Sequence, residues 1–293
     1  MKAVSIFAMS RKGYVVLRDM IGNGLAECID MVVIAHDHNM ANDYFEELQA
    51  VCHVAGIRVY ERHDAFSVSS PFCFAISWRW MIPLDIHSRL IVFHDSLLPR
   101  YRGFAPLVNM LINREPAIGV TALFASSEYD RGHIIAQRQI AVAYPIKISD
   151  AIDLITPLYA QMAVEITNWI RNGQTIPSVP QDEAQASYSL WRDEDDYRID
   201  WNAKADDIRQ FVYSVGYPYK GASTMAGDTL LRIIDCETQQ DVAIENRTPG
   251  KVLFVTNGLP VVVCRDGLLK ITDLRDENGE SMLPLKKFRI KFH

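Results

Sequence analysis

The sequence predicts an α/β protein: a mostly parallel sheet with helices on both faces, followed by a small β-barrel. Two patterns carry this expectation. Through the first half, short apolar runs alternate with helix-like stretches, the arrangement of βαβ units and hence of a parallel sheet. In the last third, five short strand candidates stand close together, a spacing that suits a small barrel. With 293 residues, 49% of them hydrophobic, the chain has material for more than one core.

Taken in order, residues 2–8, 30–35, 57–60, 72–77, 89–93 and 119–125 read as strands, because each is a short apolar run. Stretches around 13–21 and 41–54 read as the helices between the first three. A long helix is predicted over 148–171: Ser149 and Asp150 offer a cap, Ile152, Leu154, Ile155, Leu158, Met162 and Ile166 recur at helical spacing, and Asn172-Gly173 ends it. Residues 174–199 are rich in Pro, Gln, Asp and Glu with little apolar periodicity, and read as a surface linker. After a helix over 203–214, the barrel strands are expected at 222–225, 230–234, 252–255, 260–264 and 268–274. The division expected is therefore residues 1–199, with the linker from 174, and residues 200–293.

Composition removes several classes. No apolar segment approaches the roughly 20 residues that span a bilayer, and Met1 to Phe7 runs into a strand instead of a signal peptide, so a soluble, cytoplasmic protein with no membrane partner is expected. Cys28, Cys52, Cys73, Cys236 and Cys264 form no CxxC pair and fall mostly in apolar runs, which argues against a disulfide framework or structural zinc. His36-Asp37-His38 has no further ligands at a recognised spacing, so no metal is expected. No Gly-x-Gly-x-x-Gly follows the first strand, and nicotinamide binding lacks its fingerprint.

Two polar residues stand out. His94 closes the apolar run 89–93, and Asp130 lies in the loop after the run 119–124. In open parallel sheets ligands gather at the carboxyl ends of strands, so two such groups could meet there as a proton-transfer pair. Taken alone, a His after a strand is more often a loop or core residue, and Asp-x-Gly is a common turn.

The wording around them is more specific. His94-x-Ser96-Leu97-Leu98-Pro99-x-Tyr101-Arg102-Gly103, then Gly119-Val120-Thr121, then Asp130-x-Gly132-x-Ile134-Ile135-Ala136-Gln137, resembles the formyltransferases that use N10-formyltetrahydrofolate. Similar words continue through Tyr197-Arg198-Ile199-Asp200-Trp201, Tyr217-Pro218-Tyr219-Lys220-Gly221-Ala222, Pro249-Gly250 and Asp266-Gly267, so the resemblance covers nearly the whole chain. It implies a Rossmann-like catalytic domain followed by an OB-like barrel, with N10-formyltetrahydrofolate as the cofactor. His94 and Asp130 would then be catalytic: His94 stabilises the formyl oxygen or passes a proton, and Asp130 orients it and accepts the amine proton.

The same resemblance places Ser96, Leu97, Leu98 and Pro99 beside the folate, the backbone of Met81 at the pterin edge, and loop 125–130, including Ser127, over the pterin. It places Ser10, Arg11, Lys12 and Gly13, together with Arg102, at the amine substrate. Glycine and two cations before a helix would suit a phosphate, although a solvated turn stays open beside that reading. One position departs from the family: most relatives carry Asn two residues before the catalytic His, and here Val92 stands there. Losing one such donor typically costs about 2.7–4 kcal/mol in catalysis. Ser77 is a candidate substitute.

For the amine substrate, the net charge of −6, the acidic Asp193-Glu194-Asp195-Asp196 and the lack of an extended insertion after the second strand argue against tRNA or other nucleic acid. Ala186-Ser187-Tyr188-Ser189-Leu190-Trp191-Arg192 is similar to formyltransferases acting on nucleoside-diphosphate amino sugars, which makes a sugar-nucleotide N-formyltransferase in glycan biosynthesis the favoured expectation. Formylation of methionyl-tRNA is the alternative. A non-catalytic barrel binding an oligonucleotide or oligosaccharide is the third reading, and a homodimer is left open.

Overall fold

A computed structural model describes residues 2–38, 40–82 and 89–293. The chain divides into two compact units. The first comprises residues up to Leu107, Pro116–Ala141 and Ile152–Leu190; the second takes Val108–Glu115, Val142–Ala151 and Trp191–His293.

In chain order the first half runs β1 (Val4–Ala8), α1 (Ser10–Gly22), β2 (Ile29–Ile34), α2 (Phe45–Val54), β3 (Arg58–Glu61), β4 (Phe72–Ile76), β5 (Arg89–His94), β6 (Arg102–Gly103), α3 (Pro106–Ile112), β7 (Ala117–Phe124), β8 (Ile134–Ala141), α4 (Ile148–Arg171) and β9 (Tyr188–Ser189). Seven strands form one sheet in the order β3-β2-β1-β4-β5-β7-β8. The first five in that order are mutually parallel, while β7 is added antiparallel at the β5 edge and β8, antiparallel to β7, runs again in the sense of the first five. Every residue of β1 and β2 is buried, as expected where a parallel sheet is covered on both faces.

Three features differ from the sequence expectation. Helix α1 begins at Ser10, so the Ser10–Gly13 stretch expected as a loop is its first turn. Strand β8 was not foreseen, because its half-polar sequence IIAQRQIA lacks an apolar run. The segment expected as a surface linker after α4 is bonded to the rest of its unit: Val179 and Ile134 exchange backbone hydrogen bonds of 2.9 and 2.8 Å, and β9 pairs in parallel with β6.

The second unit holds α5 (Ala205–Ser214), β10 (Ala222–Ala226), β11 (Thr229–Gln239), β12 (Val252–Thr256), β13 (Leu259–Val263) and β14 (Leu268–Arg275). The five strands form an antiparallel sheet in the order β10-β11-β14-β13-β12. Its two edge strands are joined by the last residues of the chain. Phe292 bridges Ala226 at the end of β10, and Lys291 bridges Lys251 just before β12, so one end of each edge strand is joined through these residues. Phe292 is buried and stacks on Trp201, whose indole N–H donates to Thr224 Oγ1 at 3.0 Å. Among the described residues, no helix is long and apolar enough to cross a membrane.

Candidate active site

His94 is the last residue of β5 and pairs with Thr121 of β7. Its Nε2 lies 2.8 Å from the carbonyl oxygen of Tyr101. A carbonyl only accepts, so Nε2 carries the proton and donates. Proton exchange is thereby left to Nδ1, and Nδ1 stands 3.6 Å from Asp130 Oδ1. Both side chains are largely withdrawn from water, at 8% and 14% exposure, where charge interactions are screened less than at an open surface.

The route by which Asp130 arrives corrects the sequence reading. β7 runs antiparallel to β5, with Ile91 opposite Phe124 and His94 opposite Thr121, so the loop after β7 leaves from the far end of β5. It doubles back. The turn is fastened where Phe124 N–H donates to His133 O at 3.0 Å and Ala125 N–H to Leu90 O at 2.8 Å. Gly132 is required at this fold-back, because a Cβ there would lie 1.7 Å from the Phe124 carbonyl oxygen. Asp130 itself sits in the left-handed region at φ +57°, uncommon for a non-glycine residue although aspartate tolerates it better than most, and its surroundings fix it there. Its Oδ2 accepts from Gly103 N–H at 2.8 Å, and its carbonyl accepts from Gln181 Nε2 at 2.7 Å.

The Ser96–Pro99 stretch is rigidly held. Ser96 is fully buried and its hydroxyl donates to Arg100 O at 2.7 Å. Thr121 Oγ1 donates to Ser96 O at 2.6 Å and accepts from Leu98 N–H at 3.1 Å; Gln137 Nε2 donates to Leu98 O at 2.8 Å and to Thr121 Oγ1 at 2.9 Å. Leu97 and Pro99 are half-buried, and the Leu98-Pro99 peptide is cis. Met81 is 83% exposed on the chain leaving β4, and Ser127 is exposed in the folded-back loop. Pro83, two residues beyond Met81, lies outside the described residues.

Arg102 does not face a substrate, contrary to the sequence reading. It is fully buried, and its guanidinium is consumed by the protein. Nη1 and Nη2 donate to the two carboxylate oxygens of Glu183 at 2.9 and 2.8 Å, Nη2 and Nε to Gln181 Oε1 at 2.8 and 3.2 Å, and Nη1 to Tyr188 Oη at 3.3 Å. The Glu183 carboxyl is held down to about 2, chiefly by the hydrogen bond from Arg102, with desolvation opposing and a second bond from Arg131 assisting. Lys12 is likewise corrected as a free phosphate ligand. It is buried and paired with Asp95, which also accepts from the Tyr159 hydroxyl. Arg11 pairs with Asp153 at the surface. Ser10 is buried at φ +61° with its N–H on Asp43 O at 3.1 Å, and Gly13 is buried against Ala8.

Val92 is half-buried between Ala75 and Leu123 and offers no donor. Ser77, at φ +55°, follows Ile76, whose partner in β5 is Phe93, so Ser77 and His94 leave neighbouring strands at the same level. His36 stacks on Phe45 at 3.8 Å and pairs with Asp43 at 2.8 Å. Among the described residues, no three of His, Cys, Asp and Glu come together in a metal-holding group.

Chemically, this is a buried imidazole with one free nitrogen facing a fixed carboxylate. Such a pair can take a proton from a nucleophile and stabilise charge on an adjacent oxygen.

Comparison with known proteins agrees with these motifs. The Formyl transferase family model matches residues 83–153, and the model for the Formyl transferase, C-terminal domain matches residues 192–289. The methionyl-tRNA formyltransferase of Heliobacterium modesticaldum is 28% identical over 200 residues, which is 66% of this chain and 63% of that protein. The sugar 3N-formyl transferase WlaRD, solved with dTDP and 5-N-formyl-THF, superposes with a TM-score of 0.69 at 17% identity, covering 95% of this chain and 98% of that one. HypX from Aquifex aeolicus, solved with tetrahydrofolic acid, gives a TM-score of 0.65 at 18% identity over 95% of this chain and 45% of its own. Identities this low speak to the fold. The chain thus spans about two thirds of the methionyl-tRNA enzyme and less than half of HypX.

Proposed function

We propose that this chain, which belongs to the formyl transferase family, moves a formyl group from N10-formyltetrahydrofolate to the amine of a nucleoside-diphosphate amino sugar. The observation that carries formyl transfer is the His94–Asp130 pair, 3.6 Å apart and shielded from water. Asp130 accepts the proton that the attacking amine must lose. His94, with its Nε2 proton committed to Tyr101, meets the charge that grows on the formyl oxygen through Nδ1 when that nitrogen also carries a proton. When bound, the folate supplies the activated formyl group and a nitrogen leaving group. Met81 fits its flat ring as exposed apolar surface, and the exposed residues 125–129 suit the ring's edge of donors and acceptors through their backbone. Ser96 to Pro99, tied to Thr121 and Gln137, keep the chain beside His94 fixed.

For the amine, the loop between β2 and α2 supports a small acceptor. It runs from Ala35 to Tyr44 and carries Asp37 and Asp43 but no Lys or Arg, whereas a surface gripping many phosphates needs cations. WlaRD, which matches over nearly its full length, is itself described as a sugar 3N-formyl transferase and was solved with dTDP.

A second reading, formylation of methionyl-tRNA, is favoured by one observation in the second unit. Lys286, Lys287, Arg289 and Lys291 are all exposed, and Lys291 stands opposite Lys251 across an antiparallel bridge. Like charges set opposite each other cost stability, which an anionic partner would relieve.

The test mixes the protein with N10-formyltetrahydrofolate and either a panel of dTDP- and UDP-linked amino sugars or methionyl-tRNA, following tetrahydrofolate release by absorbance. Turnover of a sugar nucleotide, with KM little changed between 50 and 200 mM salt, is expected, because only a diphosphate is neutralised. Efficient formylation of methionyl-tRNA with no turnover across the panel would reverse the order of the two readings.

A further inference from the structure

We infer that Gln181, a residue in the segment after α4 whose side chain reaches the backbone of Asp130 and neither the carboxylate nor the imidazole of the catalytic pair, is the positioning residue that aims Asp130. The geometry is one amide doing three things. Its Nε2 donates to the carbonyl oxygens of Asp130 at 2.7 Å and Gly132 at 2.8 Å. Its Oε1 accepts from Arg102 at 2.8 and 3.2 Å. Asp130 needs such a clamp because its backbone is left-handed at φ +57°. Released, an aspartate at that φ relaxes toward ordinary dihedrals, and rotation about its backbone would carry the carboxylate away from His94 Nδ1 and from the Gly103 N–H.

The amide cannot be flipped. Oε1 must face the guanidinium, which only donates, and Nε2 must face the two carbonyls, which only accept. The buried charge of Arg102 therefore orients Gln181, and Gln181 orients Asp130. Arg102 is fixed in turn by Glu183, which also binds Arg131, the residue following Asp130. The same segment secures the His94 side of the site: Ser187 Oγ accepts from Tyr101 N–H at 2.9 Å, and Ser187 O accepts from Arg102 N–H at 2.8 Å. Tyr101 is the residue whose carbonyl holds His94 Nε2. Both members of the pair are thus set from one strip of chain, and Gln181 is the contact in that strip that bears on Asp130.

The test compares the full-length protein with Gln181→Ala and Gln181→Glu. Gln181→Glu keeps an acceptor for Arg102 and replaces the donor to the Asp130 and Gly132 carbonyls with an anionic acceptor that repels them, so it loosens the aim of Asp130 while keeping the anchor to Arg102. The first readout needs neither folate nor activity: hydrogen exchange at the Gly103 amide, which donates to Asp130 Oδ2 at 2.8 Å, against the Phe104 amide, which donates to Ser189 O at 3.1 Å. Gly103 should exchange at least about 10-fold faster in both variants, while Phe104 stays within about 3-fold of wild type, because one reports the aim of Asp130 and the other the docking of the segment. The second readout, which rests on the formyl-transfer reading, is a fall in kcat of about 10²-fold with KM for both substrates within about 3-fold, the pattern of a lost transition-state interaction.

Unchanged Gly103 exchange, or equal loss at Gly103 and Phe104, would overturn the proposal, the latter by showing that Gln181 merely anchors the segment. A normal kcat in Gln181→Glu would overturn it as well. If the wild-type chain formylates nothing, the function reading fails while the exchange result still decides the positioning role.

Discussion

Replacing Asp130 with Asn removes one charge and almost nothing else, which makes it the sharpest probe of the catalytic pair. The carboxylate lies 3.6 Å from His94 Nδ1 with 14% of its side chain exposed. At an effective dielectric constant of about 20, opposite unit charges at that distance attract by about 4–5 kcal/mol, and residual solvent screening reduces this to roughly 3–4 kcal/mol. That attraction applies while His94 is cationic and Asp130 has not yet taken the amine proton, and Asn can neither supply it nor accept the proton. The expected fall in kcat is roughly 10²- to 10³-fold. Stability should barely move, because the Asn side-chain oxygen can still accept from the Gly103 N–H that Asp130 Oδ2 holds at 2.8 Å. The remaining cost of weakening a charge-assisted bond is about 1 kcal/mol, a fall in melting temperature of about 2–4 °C. Tetrahydrofolate release measured under single-turnover conditions, alongside a thermal melt, reads both quantities. An Asp130→Asn protein that melts normally and turns over at more than about a tenth of the wild-type rate would refute the assignment of Asp130 as proton acceptor.

Three further outcomes follow from the geometry around the pair. Arg102→Met should destabilise the protein by about 2–3 kcal/mol in urea unfolding, since several charge-assisted bonds are lost but half-exposed Glu183 can rehydrate; a change below about 0.5 kcal/mol would mean the buried guanidinium is not anchored as described. The Glu183 carboxyl, held down to about 2 mainly by Arg102, adds stability that is fully present above its ordinary value near 4.5 and is lost as pH falls toward 2; melts of wild type and Glu183→Gln should therefore differ by a constant amount above about pH 5 and converge at acid pH, and a gap independent of pH would contradict the pairing. All five cysteines are buried, and burial pushes the Cys52 and Cys264 thiols up to about 12 and Cys73 to about 11; iodoacetamide at pH 8 should leave the native chain unmodified by mass spectrometry and label every cysteine after unfolding, whereas rapid native labelling of any of them would place that thiol at the surface.

What the sequence disclosed about the fold follows from the range over which each signal acts. Helix α4, Ile148–Arg171, was legible because its apolar residues recur over six turns, and the barrel strands because each is an apolar run between turn residues. The direction of β7 was not legible. Its run Ala117–Phe124 is as apolar as a parallel strand, and only its pairing with β5 sets its sense. The seventh strand, β8, escaped because it edges the sheet, where one row of side chains faces solvent and apolar continuity is not demanded. The joining of the edge strands through Lys291 and Phe292 was hidden for a related reason: it consists of isolated bridges, which leave no periodicity to read.

The site divides along the same line. His94, Ser96 to Pro99 and Asp130 lie within two short words, and those words were informative because their residues act close to where they stand in the chain. The partners that hold them come from far along it: Gln137 reaches back 39 residues to Leu98, and Gln181 reaches back 51 to Asp130. The polar composition of residues 174–199 was itself the signal, and reading it as solvation mistook its cause. Gln181, Glu183 and Ser187 are polar because they satisfy a buried guanidinium and the backbone of two catalytic loops, and burying those groups unpaired would cost far more than exposing them. The same confusion made Lys12 and Arg102 look like substrate ligands. A cation's partner is not written beside it, and both charges here are spent on carboxylates 83 and 81 residues away. In this chain a polar residue with no local reason for its polarity therefore marks a long-range support of the site as readily as a contact with substrate. For these two cations the discriminating quantity is burial together with a partner: Arg102 is inaccessible and Lys12 nearly so, and each is paired with a carboxylate inside the protein.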